Sequence, residues 1–313
     1  MFSRAPSMPD SYDVLIVGAG PAGLNAALVL GRCRRTVLVC DSGEPRNQAS
    51  ARVSGFLSRD GCRPADLREV GLRQLDPYES VQLRDVAVED VAGQDGCFEA
   101  VLQDGMRVRA KKILLATGLQ DTFPDLDGAE RLFGKGVWTC PYCDGWELRE
   151  QPLAVYGSGE GIVGFALELR LWTSDLVLLT DGPPGFGEAD RMLLDRAGVR
   201  VREEPIEKLE GDERLERVRF RTGDTLERTA LFFLAQAHQR SGLVEKLGCE
   251  LTRRGTAETS SYERSNVPGV YVAGDASRRV QFAIVAAAEG AMAAFAINTE
   301  LLHEERAALA RAG

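Results

Sequence analysis

The sequence predicts an α/β protein with two Rossmann-like, three-layer domains. Four short apolar runs end at or next to glycines, as strands do that are buried on both faces of a parallel sheet. Two of these runs each begin a strand–turn–helix–strand unit of the nucleotide-binding type. The four runs cover residues 14–17, 113–116, 153–156 and 270–273.

The first unit begins at the apolar run 14–17 and passes through a glycine turn. A helix is predicted near residues 24–30, followed by a strand over residues 36–40. Further on, residues 81–108 alternate apolar and polar positions and contain an Asp-Gly turn signal. Alternation of this kind predicts a small β-meander within the first domain.

The second unit repeats this order, with a strand over residues 153–156, a helix near residues 163–172 and a strand over residues 176–179. A second polar, alternating stretch covers residues 199–231 and belongs to the second domain. After Asn298 the chain is rich in charged residues and alanine, which predicts a terminal helix.

The chain carries 38 Lys and Arg against 47 Asp and Glu, a net charge of −9. An acidic surface repels a phosphate backbone, so a nucleic-acid partner is not expected. No uninterrupted apolar run reaches the roughly 20 residues of a membrane helix, and residues 1–11 lack a secretory pattern. We therefore expect a cytoplasmic protein without a membrane partner.

The chain has seven cysteines, an odd number, at scattered positions, and this pattern does not indicate a disulfide scaffold. Only one pair is closely spaced. In a reducing compartment such a pair is more often catalytic or metal-binding than structural. The seven are Cys33, Cys40, Cys62, Cys97, Cys140, Cys143 and Cys249.

The first glycine turn, Gly18-Ala19-Gly20-Pro21-Ala22-Gly23, lies between a predicted strand and a predicted helix. Its first glycine permits the tight turn, its second lets the backbone approach a pyrophosphate, and its third allows close helix–strand packing. Asp41 ends the next strand, where an acidic side chain can accept hydrogen bonds from a ribose. This region is predicted to bind a dinucleotide.

The second glycine turn departs from this pattern. Ile162 stands where glycine or alanine is favoured, and Glu160 lies near the position of the anion. Asp181, at the end of the next strand, suits the ribose of NAD better than the extra phosphate of NADP. Three interpretations stay open: NADH binding, NADPH binding through other residues, and a domain that has lost the nucleotide.

The segment around Cys140 and Cys143 is the sharpest signal in the chain. The Cys-X-X-Cys spacing lets the two sulfurs cycle between dithiol and disulfide, a two-electron couple that matches a flavin. Asp144 follows directly and is placed to act as general acid and base. A structural zinc site needs four ligands, and the chain has two histidines, so no metal is expected.

With these residues, the chain resembles the low-molecular-weight thioredoxin reductases of the pyridine nucleotide–disulfide oxidoreductase class. The similarity extends over nearly the whole length. It includes the first glycine turn, Ala116-Thr117-Gly118, the dithiol segment 140–145, the apolar run ending at His238, and residues 267–275. Placement of the dithiol outside the flavin domain is what singles out this class.

The resemblance implies an FAD domain formed by residues 1–119 and 242–313, with an NAD(P)-binding-like domain, residues 120–241, inserted between them. The domains would rotate about hinges near residues 117–121 and 237–241, with His238 at the second hinge. Family members are homodimers, so a homodimer is expected here.

The resemblance also assigns roles to residues. Cys143 would face the flavin, Cys140 would attack the substrate disulfide, and Asp144 would move the proton. The FAD-binding residues implied are Gly18, Gly20, Pro21, Ala22, Gly23, Asp41, Arg46, Asn47, Ala87, Thr117, Gly118, Gly274, Asp275, Gln281, Phe282 and Ala283.

Several positions differ from the reductases. Gln281-Phe282-Ala283 stands where they usually have Arg-Gln-Ala, and the arginine pair that binds NADP is missing. The segments 43–47 and 55–61, with Cys-Pro-Tyr-Cys at 140–143, resemble the reductase-like dithiol oxidases, which form disulfides in small natural products and reduce dioxygen. Those enzymes often have histidine after the second cysteine, so Asp144 points back to the reductases.

Two functions therefore compete: reduction of a disulfide in a thioredoxin-like protein or small molecule, and oxidation of a dithiol without a nicotinamide. A redox sensor or scaffold is a third hypothesis, which an intact dithiol with Asp144 disfavours. Substrate specificity is expected around Trp138, Tyr142 and Trp146. Cys62 is interpreted as a passive loop cysteine, with a third reactive thiol as the alternative.

Overall fold

The computed structural model describes residues 11–159, 161–278 and 280–312. The chain forms two compact units. Unit 1 consists of Met1–Gln48, Gly55–Gln120 and Ala237–Gly313, and unit 2 consists of Ala49–Ser54 and Asp121–Gln236.

The described residues form seventeen strands. They are β1 (Tyr12–Val17), β2 (Val37–Asp41), β3 (Val81–Asp85), β4 (Val88–Gln94), β5 (Cys97–Leu102), β6 (Arg107–Leu115), β7 (Leu119–Thr122), β8 (Val137–Trp138), β9 (Leu153–Tyr156), β10 (Leu176–Leu179), β11 (Arg200–Arg202), β12 (Ile206–Glu210), β13 (Arg217–Phe220), β14 (Thr225–Glu227), β15 (Ala230–Phe233), β16 (Gln236–Gln239) and β17 (Val270–Val272).

Seven α-helices accompany them, with 3₁₀ turns at Ser261–Glu263 and Gly274–Ala276. The helices are α1 (Pro21–Arg32), α2 (Pro64–Arg73), α3 (Pro141–Asp144), α4 (Ile162–Leu169), α5 (Glu188–Arg196), α6 (Leu243–Lys246) and α7 (Ala283–Ala312).

Unit 1 is built on one seven-stranded sheet in the order β3-β2-β1-β6-β5-β4, with β17 also paired to β6. The pairs among β3, β2, β1, β6 and β17 are parallel, whereas β4, β5 and β6 form an antiparallel meander. Alternate side chains of β1 enter different clusters: Leu15 joins the meander and α6, and Ile16 joins α1 and α7. The sheet is therefore buried on both faces.

Unit 2 has a five-stranded parallel sheet, β11-β10-β9-β15-β8. Helices α4 and α5 cover one face, where Phe165 and Leu194 pack against Val155. The small antiparallel sheet β12-β13-β14 covers the other face through Val218 and Phe220. Both units are thus layered α/β structures, and the predicted fold class is confirmed.

Three elements differ from the sequence prediction. The stretch 81–108 is not a meander throughout, because β3 pairs in parallel with β2 at the edge of the main sheet. The helix predicted near 163–172 ends at Leu169. The terminal helix begins at Ala283, well before Asn298, because the small residues between them pack it against α1.

The extent of unit 2 also differs in three places from residues 120–241. It begins at Asp121, since Gln120 groups with unit 1. Residues 237–241 group with unit 1, where the Gln239 side chain donates to the carbonyls of Gly255 and Ala276 at 2.9 and 2.8 Å. Residues 49–54 group with unit 2 although they lie far from it in sequence.

Helix α7 meets a membrane-span criterion by length and composition, with a window of mean hydropathy 1.3. However, 44% of that window is buried, and Ala293, Ala294 and Ile297 pack in the core with α1. A core helix of a globular unit passes the same test, so one such helix is weak support for a membrane span.

Candidate active site

The glycine turn of unit 1 joins β1 to α1 and needs two of its glycines for steric reasons. A Cβ on Gly18, at φ +105°, would lie 2.3 Å from the Ala116 carbonyl oxygen. A Cβ on Gly23 would lie 1.8 Å from the Gly18 carbonyl oxygen. Gly20 is the N-cap of α1, and a Cβ added to it would meet no atom within 4 Å. The turn thus presents open space at a helix N-terminus that attracts anions.

Asp41 lies beside this turn at the end of β2. Its Oδ1 accepts the Ala19 N–H at 2.9 Å, and Arg68 on α2 donates to its Oδ2 at 2.5 Å. These bonds hold the carboxylate next to the helix N-terminus, where a ribose would be expected. Arg68 was not identified from the sequence, since no spacing rule connects α2 to β2.

A second group of predicted residues comes together in unit 1. The Arg46 Nη1 donates to Asp275 Oδ2 at 2.8 Å and to Gln281 Oε1 at 2.6 Å. Asn47 is half-buried next to Arg46, and Phe282 and Ala283 lead into α7. These residues lie far apart in the sequence, and their association is a result of the tertiary fold.

The Gly274-Asp275 turn is held from behind by α7. Glu289 Oε2 accepts the Gly274 N–H at 2.7 Å, and its Oε1 accepts from Arg278 Nε at 2.7 Å. Burial raises the pKa of Glu289. A Cβ on Gly290 would lie 2.0 Å from the Ala22 carbonyl oxygen, so α7 packs directly on the first turn of α1.

Thr117 and Ala87 complete the predicted flavin residues. Thr117 Oγ1 is buried and has no hydrogen-bond partner among the described residues, whereas the Ala87 carbonyl accepts the Gln103 N–H at 2.9 Å. Gly118 has φ +68°. The open space at Gly20, the orphaned Thr117 hydroxyl and the Arg46–Asp275–Gln281 group fit a dinucleotide cofactor that would lie at the N-terminus of α1.

The glycine turn of unit 2 does not offer the same space. The Gly159 N–H, equivalent to that of Gly20, donates to the Pro184 carbonyl at 2.8 Å. A Cβ on Gly185 would lie 3.0 Å from the Gly159 nitrogen, and the Ile162 side chain lies against Gly157. Glu160 lies outside the described residues. The segment after β10 therefore covers the position where a pyrophosphate would bind.

Asp181 is also engaged within unit 2. Its Oδ1 accepts the Ile206 N–H at 2.6 Å, and Tyr156 Oη donates to its Oδ2 at 3.4 Å. A carboxylate that receives both bonds has less capacity for ribose hydroxyls. The described residues at this turn do not fit a nicotinamide dinucleotide in the conformation seen here.

The dithiol lies at the start of α3, a helix of four residues. Cys140 and Cys143 form a disulfide with a Cα–Cα distance of 5.3 Å. Cys140 is the N-cap, and its Sγ accepts the Cys143 N–H at 3.2 Å. A backbone N–H directed at this sulfur stabilises negative charge that develops when the disulfide opens.

Asp144 follows at the end of α3. Burial, together with the nearby charge of Glu147, raises its pKa to about 7, while Arg52 acts in the opposite direction. A carboxyl group with this pKa can donate or accept a proton near neutral pH. This is the property expected of a general acid and base.

The segment 49–54 lies against the dithiol helix, which the sequence did not reveal. Ser54 Oγ donates to the Cys143 carbonyl at 2.6 Å, and Arg52 Nη1 pairs with Glu147 Oε1 at 3.0 Å. No sequence signal marks these residues, because about 90 positions separate each pair.

The surface beside the dithiol exposes large apolar side chains. Tyr142 is 61% exposed, Trp146 66% and Leu171 77%. Tyr142 packs edge-on against Trp172 at 5.8 Å. The Nε1 of Trp138 is buried without a hydrogen-bond partner among the described residues. His238 is exposed on β16, and Cys62 is half-buried in the loop before α2.

Known proteins with a similar sequence belong to the class that the glycine turn and the dithiol indicate. Residues 12–290 match the family model "Pyridine nucleotide-disulphide oxidoreductase". The chain is 30% identical to thioredoxin reductase tcpT of Claviceps purpurea, covering 95% of this chain and 96% of the relative.

Solved structures resemble it over almost the whole length. TrxB from Bacillus anthracis is 35% identical, with a TM-score of 0.89, covering 93% of this chain and 99% of that one. HlmI is 37% identical, with a TM-score of 0.93, covering 99% and 98%. With its glycine turn, Gly-Asp turn and dithiol, the chain belongs to the pyridine nucleotide–disulphide oxidoreductase family, as an FAD-dependent oxidoreductase of the thioredoxin reductase-like kind.

Proposed function

We propose that this protein reduces the disulfide of a thioredoxin-like protein or of a small molecule through Cys140 and Cys143. The observation that carries the proposal is the site on α3. There Cys140 Sγ accepts a backbone N–H, and the adjacent Asp144 has a pKa of about 7. FAD, when bound, supplies the two electrons that return the disulfide to the dithiol.

The chain's own groups perform the exchange. The Cys140 thiolate attacks one sulfur of the substrate disulfide, forming a mixed disulfide and releasing one substrate thiolate. The Cys143 thiolate then attacks Cys140 Sγ, which releases the second substrate thiolate and forms the Cys140–Cys143 disulfide. Two electrons pass from the dithiol to the substrate, and Asp144 gives its proton to a leaving thiolate.

Substrate recognition is assigned to the aromatic surface next to the dithiol. Tyr142 and Trp146 present large rings, and Arg149 stacks over Trp146 at 4.2 Å. Aromatic side chains beside a reactive centre provide contact area with little loss of side-chain entropy. We infer that a protein or small molecule with an apolar surface around its disulfide binds there.

Dithiol oxidation is the second candidate, and the glycine turn of unit 2 favours it. Because the Pro184 carbonyl accepts the Gly159 N–H and Gly185 packs against Gly159, a nicotinamide dinucleotide must displace these two residues before it binds. An enzyme that receives electrons from its dithiol substrate does not need this site. In that direction the substrate dithiol loses two electrons and dioxygen is the acceptor.

Anaerobic reduction of the bound flavin separates the two candidates. The visible absorbance is followed after addition of NADPH, NADH or a simple dithiol in separate experiments. Rapid bleaching by a nicotinamide supports the reductase. Bleaching by the dithiol alone, with return of the yellow colour in air, rejects a reductase driven by a nicotinamide. It favours the dithiol oxidase, or a reductase that receives its electrons from another carrier. Cys140→Ser should stop turnover in either case, and retained function would point to a sensor or scaffold instead.

We further propose that the protein is a homodimer. Helix α7 exposes four large apolar side chains, Ile284, Met292, Phe295 and Leu302, and exposed apolar side chains along one helix favour association. Sedimentation should give twice the mass of 34.0 kDa, and Phe295→Glu should shift it towards the monomer. A monomeric wild type would contradict this proposal.

A cytoplasmic location is likewise proposed. Cys33 and Cys97 are free and exposed, which suits a reducing compartment. Cell fractionation tests this, and recovery in an oxidising compartment would reject it.

A further inference from the structure

The segment 49–54 belongs to unit 2, whereas the residues before and after it belong to unit 1. We name this segment the strap. Its first residue packs on Gly134, where an added Cβ would lie 2.2 Å from the Ala49 carbonyl oxygen. Val53, the residue before Ser54, is buried. Contacts at backbone distance show that the strap is a packed part of unit 2 and not a loop passing over it.

Ser54 supplies a hydrogen bond to the dithiol helix from outside it. A four-residue helix leaves its last carbonyl groups without intrahelical partners. The Ser54 hydroxyl donates to one of these, the Cys143 carbonyl, at 2.6 Å. The position of Cys143 is therefore held from outside its own helix.

Arg52 acts on the charges around Asp144. It pairs with Glu147 at 3.0 Å, and both side chains are partly exposed. Glu147 raises the pKa of Asp144 and Arg52 lowers it, after the dominant effect of burial. The other titratable groups at α3 are the two cysteines, joined here as a disulfide, and Tyr142, whose phenol pKa is raised by Glu168. Ser54 thus binds the end of α3, and Arg52 offsets the negative charge of Glu147 near Asp144.

We propose that the strap positions the dithiol, with Ser54 and Arg52 as positioning residues for thiol–disulfide exchange. Ser54 keeps the two sulfurs at a bonding separation, and Arg52 sets the pH range in which Asp144 moves a proton. The inference deepens the proposed function, but it holds for either direction of the reaction.

The first test measures the dithiol–disulfide equilibrium of the purified flavoprotein against a glutathione buffer, without substrate or nicotinamide. Ser54→Ala should lower the effective concentration of the two thiols about fivefold, as expected for the loss of one hydrogen bond. Ser54→Thr should restore it. Ser174→Ala, at an exposed position of unit 2, is the control. An unchanged equilibrium in Ser54→Ala would overturn the role of Ser54.

The second test uses opposite charge changes at one ion pair. Protein reduced with a dithiol is mixed with a small disulfide, and the rate of thiol exchange is followed against pH. Arg52→Gln should move the profile to higher pH by about half a unit and Glu147→Gln should move it to lower pH. Arg191→Gln breaks a similarly exposed pair with Glu203 in unit 2 and is the control.

Shifts of opposite sign separate an electrostatic role from a merely structural one, since loss of packing would not reverse with the sign of the charge. The infrared band of the protonated Asp144 carboxyl, assigned with Asp144→Asn, should titrate with the same displacements. If both variants leave the band unmoved, the role of Arg52 is wrong. If the band moves but the protein reduces no disulfide substrate, the role of Arg52 is supported and the proposed disulfide reduction is rejected.

Discussion

At the scale of single residues, thiol–disulfide exchange depends on a carboxyl group whose surroundings keep it protonated above its ordinary pKa. Asp144 is a carboxyl group whose pKa of about 7 reflects burial and the neighbouring charge of Glu147. Such a group is held at a cost to stability, because the folded state disfavours its charged form. Catalytic usefulness and stability therefore conflict at this position.

Asp144→Asn tests that conflict. Since the folded pKa is raised, unfolding lets the carboxyl ionise more easily, so the wild type loses stability as pH rises from about 4 to about 7. The variant should therefore gain unfolding free energy over the wild type across this range, with a constant advantage above it. Exchange rates should fall about 100-fold. Denaturant unfolding at pH 4, 6 and 8 measures the first effect, and a pH-independent difference would contradict it.

At the scale of elements, the two glycine turns show how one pattern gives two structures. In unit 1, Gly23 lets α1 begin against the Gly18 carbonyl, and the space before Gly20 stays open. In unit 2, Ile162 occupies the position equivalent to Gly23, and the segment after β10 binds Gly159. A side chain at the third position therefore accompanies a turn closed by its own chain.

Gly23→Ala should abolish FAD binding, because the added Cβ would lie 1.8 Å from the Gly18 carbonyl oxygen and push α1 away. Gly164→Ala is a matched control near the start of α4, where a Cβ meets nothing within 4 Å. It should raise stability by about 0.5–1 kcal/mol through better helix propensity. Flavin absorbance of the purified proteins and denaturant unfolding measure both. Full flavin content in Gly23→Ala would contradict the steric argument.

At the scale of the whole molecule, distant parts of the chain are joined through few buried charges. The Lys112 side chain on β6 is fully buried, and its Nζ contacts Asp95 at 2.6 Å and Glu304 of α7 at 2.5 Å. These hydrogen bonds raise the pKa of Lys112 against the effect of burial. The interaction fastens the terminal helix to the sheet of unit 1. The part of its stabilisation that depends on the charge of Lys112 is present at neutral pH and is lost as pH rises above the ordinary lysine range.

Lys112→Gln should lower the unfolding free energy by about 3 kcal/mol at neutral pH, because it leaves the partner carboxylates without their buried cation. Lys111→Gln is the control. Lys111 pairs with Asp13 at 2.8 Å but is partly exposed, so its loss should cost less than about 1 kcal/mol. Equal losses in the two variants would show that burial does not decide the strength of these pairs.

Local pattern by itself determined a large part of this protein. Apolar runs that end at or next to glycines located β1, β9 and β17, and the spacing of Cys140 and Cys143 located the dithiol. These features are readable because their causes, strand burial, tight turns and sulfur spacing, act over a few neighbouring residues.

Tertiary structure alone decided the rest. The parallel pairing of β3, the closure of Gly159 by Pro184, and the Arg46–Asp275 contact join positions that no local rule connects. The strap is the clearest case, since Ser54 reaches Cys143 across 89 positions. Which groups meet across such separations depends on how both layers of each unit pack, and packing is a property of the folded chain as a whole.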